Sequence, residues 1–335
     1  MTNKLYMNFK KILKENISII IAIIIVLLSF IHLPYYINAP GGITNLDKKI
    51  IIENEYKSKG SLNMAYVREY RANIFTILYA LINPNFDIYK KEEYLATNDT
   101  YETMKFREDL ELKESLDNAI ILGYNLANEK ITITSDDIYV TYIYELADTN
   151  ILVGDKLIEV NGNKITSYKE LRELISVLDV DTLVDIKVIN NNKEYMRYAY
   201  IKEVDGTKLI GVHITHDKKY EVDRKVDFKI KRNESGPSGG FMMALEVYNE
   251  LTLNDITKGY KIVGTGTIDE DGNVGTISGV KYKLKGAIKN KADIFFVPSG
   301  ENYDEAIKEK EKNHYNIEII SVSRIEDALN YLASK

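Results

Sequence analysis

Cysteine is absent from this 335-residue chain, which excludes disulfides, thiolate metal sites and cysteine nucleophiles together. Tryptophan is absent too, and Phe 9 stands against Tyr 25, a usage that fits A+T-rich coding. No Gly-x-x-x-x-Gly-Lys-Ser/Thr sequence occurs, so the chain carries no Walker-type nucleotide loop. A formal net charge of −6 gives no basis for nucleic-acid binding. Histidine is scarce. His213 and His216 have only Asp217 near them in sequence, and His314 is distant, so neither a metal nor a cofactor is expected. Tandem repeats and low-complexity tracts are missing. Charged residues at 28% and hydrophobic ones at 45% describe an ordinary globular protein.

The longest apolar run is "ISIIIAIIIVLLSFIHL", residues 17–33. As a helix its seventeen residues reach about 25 Å, and extension through "PYYI" reaches about 31 Å, near the bilayer hydrocarbon thickness. Lys4, Lys10, Lys11 and Lys14 precede it, and no lysine or arginine follows for about a dozen residues after Pro34. These features predict a transmembrane signal anchor over 17–37, with 1–16 cytoplasmic and the remainder outside. A cleaved signal peptide is the rival, but the run exceeds a usual signal-peptide apolar region.

Beyond the apolar run, "KKIIIENEYKSKGSLNMAYVRE" (48–69) reads as two short strands around Lys59-Gly60. Residues 71–95 give no clear pattern. Residues 101–130 form a long amphipathic helical segment, as one helix or two, closing near Asn128. From 206 onward strands alternate with helices, an α/β pattern. In "NESGPSGGFMMALEVYNEL" (233–251), Phe241, Ala244, Leu245, Tyr248 and Leu251 recur at helical spacing. Ser235 and Ser238 therefore sit where the chain turns into a helix, where free N–H groups and the helix dipole favour negative charge. A nucleophile whose reaction creates an oxyanion suits that place. Most glycine-serine turns are only caps, and spacing alone does not choose between the two serines.

Residues 131–205 alternate short strands with turns at Gly154-Asp155 and Asn161-Gly162. Ser167 and Glu170 have capping-box spacing before a helix that aligns Leu171, Leu174, Ile175 and Leu178. "ILVGDKLIEVNGNKITSYKEL" resembles a PDZ domain. That resemblance implies a peptide groove between the strand near Ile138–Tyr142 and helix 168–178. The loop expected to hold a peptide carboxylate reads Ser135-Asp136-Asp137. Its negative charge points to an internal or atypical peptide rather than a C-terminus.

"ESGPSGG", "GTGTIDEDGNVGTISGVKYKLKGA" and "ADIFFVPSGEN" together resemble the proteolytic domain of Lon proteases. Carried over onto matching positions, the resemblance implies Ser238 as nucleophile, Lys283 as general base and Thr265 as the residue orienting Lys283. Gly236 and Gly239 become turn and oxyanion residues. Counting back from the helix, "GVKYK" aligns Lys281 with the family's noncatalytic lysine. Helical spacing independently puts Lys281, Lys285 and Lys289 on one strip and leaves Lys283 beside Gly286 and Ala287, where a neighbouring strand can approach. Ser235 departs from the acidic residue many Lon proteases carry before Gly-Pro.

The order of segments is similar to membrane-anchored PDZ/Lon-like peptidases of Gram-positive bacteria, and "LPYYINAPGG" fits that group. The expected fold class is an α/β (α+β) Lon-type proteolytic domain, a mostly β PDZ domain and one N-terminal transmembrane helix. The expected domains are 38–130 as the first part of the Lon-like domain, 131–205 as PDZ and 206–335 as the catalytic part, so that PDZ interrupts the Lon-like fold. The resemblance implies an ATP-independent, membrane-anchored serine endopeptidase acting outside the cell on small secreted peptides or membrane-tethered regulators, with PDZ engaging substrate. It leaves homo-oligomer formation through the Lon-like domain open. An inactive membrane-tethered PDZ adaptor is the alternative.

Overall fold

The computed structural model describes residues 6–7, 10–11, 14–96, 99–231 and 234–335. Lys4, one of the four lysines invoked for topology, lies outside the described residues. Contacts divide the chain into two units, one of 1–40 with 67–96 and the other of 41–66 with 97–335.

In the first unit the apolar run forms helix α1 (Ile17–Ser29). The chain then enters strand β1 (His32–Asn45), whose residues Tyr35 to Asn38 pair antiparallel with Lys90 to Asp87. The end of strand β2 (Ser61–Asn73) leads into helix α2 (Ile74–Ile82). Asn73 caps α2: its Oδ1 accepts from the N–H groups of Phe75 and Thr76, at 3.0 and 2.9 Å. Its Nδ2 donates to the carbonyl of Ser29 at 3.0 Å, which fixes the end of α1. Ile37, Ala72 and Ala80 form a small core there.

The expected transmembrane helix over 17–37 is not present. Among the described residues, no helix is long and apolar enough to cross a membrane. The thirteen residues of α1 rise about 20 Å, short of a hydrocarbon core about 30 Å thick. Residues 35–37, which were to complete the span, spend their backbone groups on the strand at 87–90. That strand lies in the segment whose sequence showed no clear pattern. The mixed α/β content stands; the spanning helix does not.

In the second unit a single helix α3 (Tyr101–Leu126) precedes a small sheet. Its strands are β3 (Ile131–Ile143), β4 (Lys156–Val160), β5 (Leu183–Asn190), β6 (Lys193–Tyr200) and β7 (Val212–Val222), in spatial order β7-β3-β4-β5-β6. Helix α4 (Tyr168–Ser176) covers it. Ser167 caps α4 by accepting from the Glu170 N–H, while the Glu170 carboxylate reaches the Thr166 N–H at 2.7 Å. The sheet's core runs from Ile138 of β3 through Ile186 of β5 to Ile210, with Val212 and Ile214 packed on it.

Helix α5 (Gly240–Leu251), strand β8 (Lys261–Gly264), helix α6 (Val280–Lys289), strand β9 (Ile294–Pro298), helix α7 (Glu301–Asn313), strand β10 (Glu318–Val322) and helix α8 (Ile325–Ala333) follow. The main sheet of this unit has the order β10-β9-β8-β2-β1. β10, β9, β8 and β2 are mutually parallel, with Leu62 of β2 opposite Ile262 and Ile294 of β9 opposite the same residue. One core unites Leu46, Ile50, Ile52 and Leu62 with Ala119 and Ile120 of α3 and with Phe241 and Leu245 of α5. Residues on both sides of the small sheet thus build the same interior.

Candidate active site

Ser238 lies in the turn that leads into α5, beside the segment that follows β8. Chain ends of parallel strands are where open α/β sheets commonly bind ligands. Its carbonyl accepts from the Gly266 N–H at 2.9 Å and from Thr265 Oγ1 at 3.0 Å. Thr265 is fully buried, and its own N–H donates to the Phe296 carbonyl at 3.1 Å. The structure therefore joins two of the expected site residues directly, through the Thr265 hydroxyl and the Ser238 backbone.

Helix α3 supports the other side of the turn. Gly236, at φ +82°, donates its N–H to the Glu108 carbonyl at 3.1 Å. Ser115 Oγ donates to the Pro237 carbonyl at 2.9 Å. A side chain at Gly240 is excluded, because its Cβ would stand 2.2 Å from Ser115 Oγ. Gly239 occupies the N-cap of α5, where the N–H groups of the first helical turn have no intrahelical acceptor. The two serines differ. Ser235 is exposed, and its hydroxyl donates to Glu108 Oε2 at 3.0 Å, whereas Ser238 is half-buried.

Lys283 is 3% exposed, although it belongs to the lysine-rich α6. Val280, Leu284 and Ala287 of α6 pack in one core with Val263 of β8 and Phe295 of β9. Lys289 on the opposite face is exposed, and Lys285 Nζ pairs with Glu309 at 2.9 Å. The expected close approach of a strand is present at Gly286: a Cβ there would meet the Gly42 carbonyl oxygen of β1 at 3.0 Å.

Titratable groups crowd α3 near the turn. Glu111 lies one helical turn from both Glu108 and Ser115; burial pushes its carboxyl up to about 7, opposed by the Arg107 charge. Lys218 of β7 is buried, and burial lowers its pKa against the pull of Asp136, Glu114 and Asp117. It bonds to Asn118 Oδ1 at 3.2 Å and pairs with Glu270. The carboxylates Asp47, Glu246 and Glu250 also converge; nothing in the sequence pattern had drawn attention to them.

The strand expected to border a peptide, Ile138–Tyr142, is not at a sheet edge. β3 is an interior strand: Ile138 pairs with His216 of β7 on one side and Leu157 of β4 on the other. No edge is open there for an added strand. Ser135, Asp136 and Asp137 form no loop, being paired with Lys219, Lys218 and Asp217. The strand at the edge is β7, and among the described residues β3 is its one strand neighbour. Tyr168 of α4 meets the His216 ring of β7 edge-on, with centroids 5.8 Å apart. Arg172 of α4 donates to the Lys208 carbonyl at 3.0 Å, just before Leu209-Ile210-Gly211. The strand that lies beside α4 is therefore β7, over residues 212–216. Its sequence signal, Gly211 followed by the apolar alternation of Val212 and Ile214, stands more than sixty residues after the strand first chosen.

Residues 221–334 match the family model of the Lon protease (S16) C-terminal proteolytic domain. That match spans Ser238, Thr265 and Lys283 and indicates a serine peptidase. Two solved structures are similar over residues of this chain. The PDZ domain of an SdrC-like protein from Listeria monocytogenes is 25% identical, covering 25% of this chain and 92% of its own, with a TM-score of 0.23. The second domain of the Listeria protein Lin2157 is 27% identical, covering 25% of this chain and 87% of its own, with a TM-score of 0.21. No curated protein matches.

Proposed function

We propose that the chain is an endopeptidase in which Ser238 is the nucleophile and Lys283 its general base. The observation that carries this reading is the burial of Lys283 to 3% on a helix where Lys289 is exposed and Lys281 and Lys285 are half-buried. A lysine base must give up its proton near neutral pH, a fall of about three units from its ordinary 10.4, or roughly 4 kcal/mol against the charged form. Desolvation is the means available to a buried amine. The neutral amine removes the Ser238 hydroxyl proton, and the oxygen attacks a peptide carbonyl. The tetrahedral oxyanion forms at the start of α5, where the Gly239 N–H and the helix dipole face it. The Gly236 N–H serves the turn through Glu108. The protonated amine then returns its proton to the leaving nitrogen, and water hydrolyses the acyl-enzyme.

Thr265, bonded to the Ser238 carbonyl, holds the serine backbone against the end of β8, and in this reading also orients the amine. The Lon-like fold in this proposal comprises 38–130 and 206–335, interrupted by the small sheet. Without a Walker sequence in the chain, the substrates are peptides or small proteins already unfolded. An extended substrate segment adds to the edge of β7 beside α4.

Cleavage of an unstructured peptide by the full chain, compared with Ser238→Ala, Lys283→Ala and Lys281→Ala, tests the dyad. Loss of more than about 100-fold in kcat/KM is expected for the first two, with near-native activity for the third. Equal cleavage by wild type and Ser238→Ala ends the reading. Peptide binding without any cleavage supports an adaptor instead.

A further inference from the structure

Helix α5 carries two acidic residues in its second half, four positions apart and hence on one face. Glu246 and Glu250 are each 2% exposed. Glu246 Oε2 and both carboxylate oxygens of Glu250 are buried with no hydrogen-bond partner. Asp47, in the turn after β1, completes the group: one oxygen from each of the three residues lies within 4.8 Å of the others. Asp47 is exposed, so the cluster opens to solvent on one side and is walled by protein on the other. Lys57 faces it: its Nζ contacts Asp47 Oδ1 at 3.2 Å and also pairs with Glu55, and its side chain is 64% exposed. Arg224, whose charge also reaches Glu250, spends its guanidinium on Glu129 and on the carbonyls of Glu53 and Asn54.

Buried carboxylate oxygens are ordinarily hydrogen-bonded, and each exception asks for a cause. Two nearly inaccessible carboxylates aimed at a third, with a solvated lysine beside three acids, leave oxygen donors in excess of positive charge. Oxygen-only donor sets of this kind suit hard divalent cations, which accept carboxylates together with waters. We propose that Asp47, Glu246 and Glu250 bind one hard divalent cation, Ca²⁺ or Mg²⁺, with water entering from the Asp47 side to complete its shell. The ion ties the second half of α5, the helix that follows Ser238, to the turn at 46–48. It acts as a structural clamp and takes no part in peptide cleavage.

The full chain, stripped with EDTA, is titrated with CaCl₂ and separately with MgCl₂ by calorimetry, and its thermal unfolding is followed at matched ionic strength in NaCl. Saturable binding of one ion per chain and a rise in Tm are expected with at least one of the two salts. The salt that gives the tighter binding identifies the ion. Asp47→Asn, at an exposed position where folding is safe, weakens that binding at least about tenfold, and Glu250→Gln does the same. The site is overturned if neither salt gives heat or a Tm shift up to about 10 mM, or if Asp47→Asn binds as tightly as wild type. It is equally overturned if Glu250→Gln raises Tm in EDTA while wild type ignores both salts, the result of two carboxyls sharing a proton. Ser238→Ala binds the ion like wild type, so a failed peptidase reading leaves this test intact.

Discussion

At the scale of single residues, the distinction between Lys281 and Lys283 turns on two positions in a helix. Lys283 is buried and Lys281 only half so, and Gly286 lets β1 lie against the same helix. Gly286→Ala places a methyl 3.0 Å from the Gly42 carbonyl oxygen. It is expected to destabilise the chain by about 1–3 kcal/mol and to lower peptidase activity, since any shift of β1 admits water beside Lys283. A chemical denaturation curve with parallel kcat/KM measurements checks both effects. Thr265→Val removes the hydroxyl bonded to the Ser238 carbonyl and keeps the shape; activity falls about tenfold or more with little change in KM.

Glu111 offers a pH readout. Its carboxyl is raised to about 7, chiefly by burial, so folding favours its protonated form. That contribution is fully present below the ordinary carboxylate pKa near 4.5 and is lost as pH rises through about 7. Glu111→Gln keeps a neutral side chain at every pH. Relative to wild type, it is expected to gain on the order of 1 kcal/mol between pH 5 and pH 8 once partial solvent access is allowed for. Urea unfolding at both pH values measures this; an unchanged difference refutes the assignment.

At the scale of elements, the local signals were legible and the pairings were not. Ser167 with Glu170, the helix ending before Asn128, and the glycine turn before α5 depend on residues a few positions apart, and each is found where the sequence put it. Which strand lies at a sheet edge depends on a partner far along the chain. β3 advertised its alternation, but β7, more than sixty residues later, pairs along its whole length and takes the edge. The apolar run at 17–33 misled for the same reason. Hydropathy registers solubility in lipid, while the end of α1 is decided by Asn73 and by strand pairing at 87–90. The carboxylates of α5 were invisible, since acidic residues four apart on a helix usually face water. With β7 at the edge, binding of an extended peptide slows amide exchange at 212–216 and in α4. Hydrogen-exchange mass spectrometry tests this, and protection confined to 138–142 contradicts it.

At the scale of the whole molecule, residues before and after the small sheet form one interior. Leu62 of β2 and Ile262 of β8 stand side by side, though two hundred positions separate them. Long-range parallel pairing of this kind makes folding slow, because distant segments must meet before either gains a partner. A Leu62→Ala substitution, at a fully buried position, is expected to cost about 2–5 kcal/mol and to abolish peptidase activity above its lowered Tm. Thermal inactivation followed alongside circular dichroism checks that the two losses coincide.

Strand β7 has a consequence for anyone dissecting the chain. Its first residues, Val212 and Ile214, pack on the interior of the small sheet, and its last, Tyr220 and Val222, pack on the interior shared by α3 and α5. A gene fragment stopped at 205 leaves the small sheet without its outermost strand, and one begun at 206 carries that strand away with the rest of the chain. Transplanting the small sheet to another chain therefore requires cutting through a continuous strand, and a graft that respects it must bring both halves together.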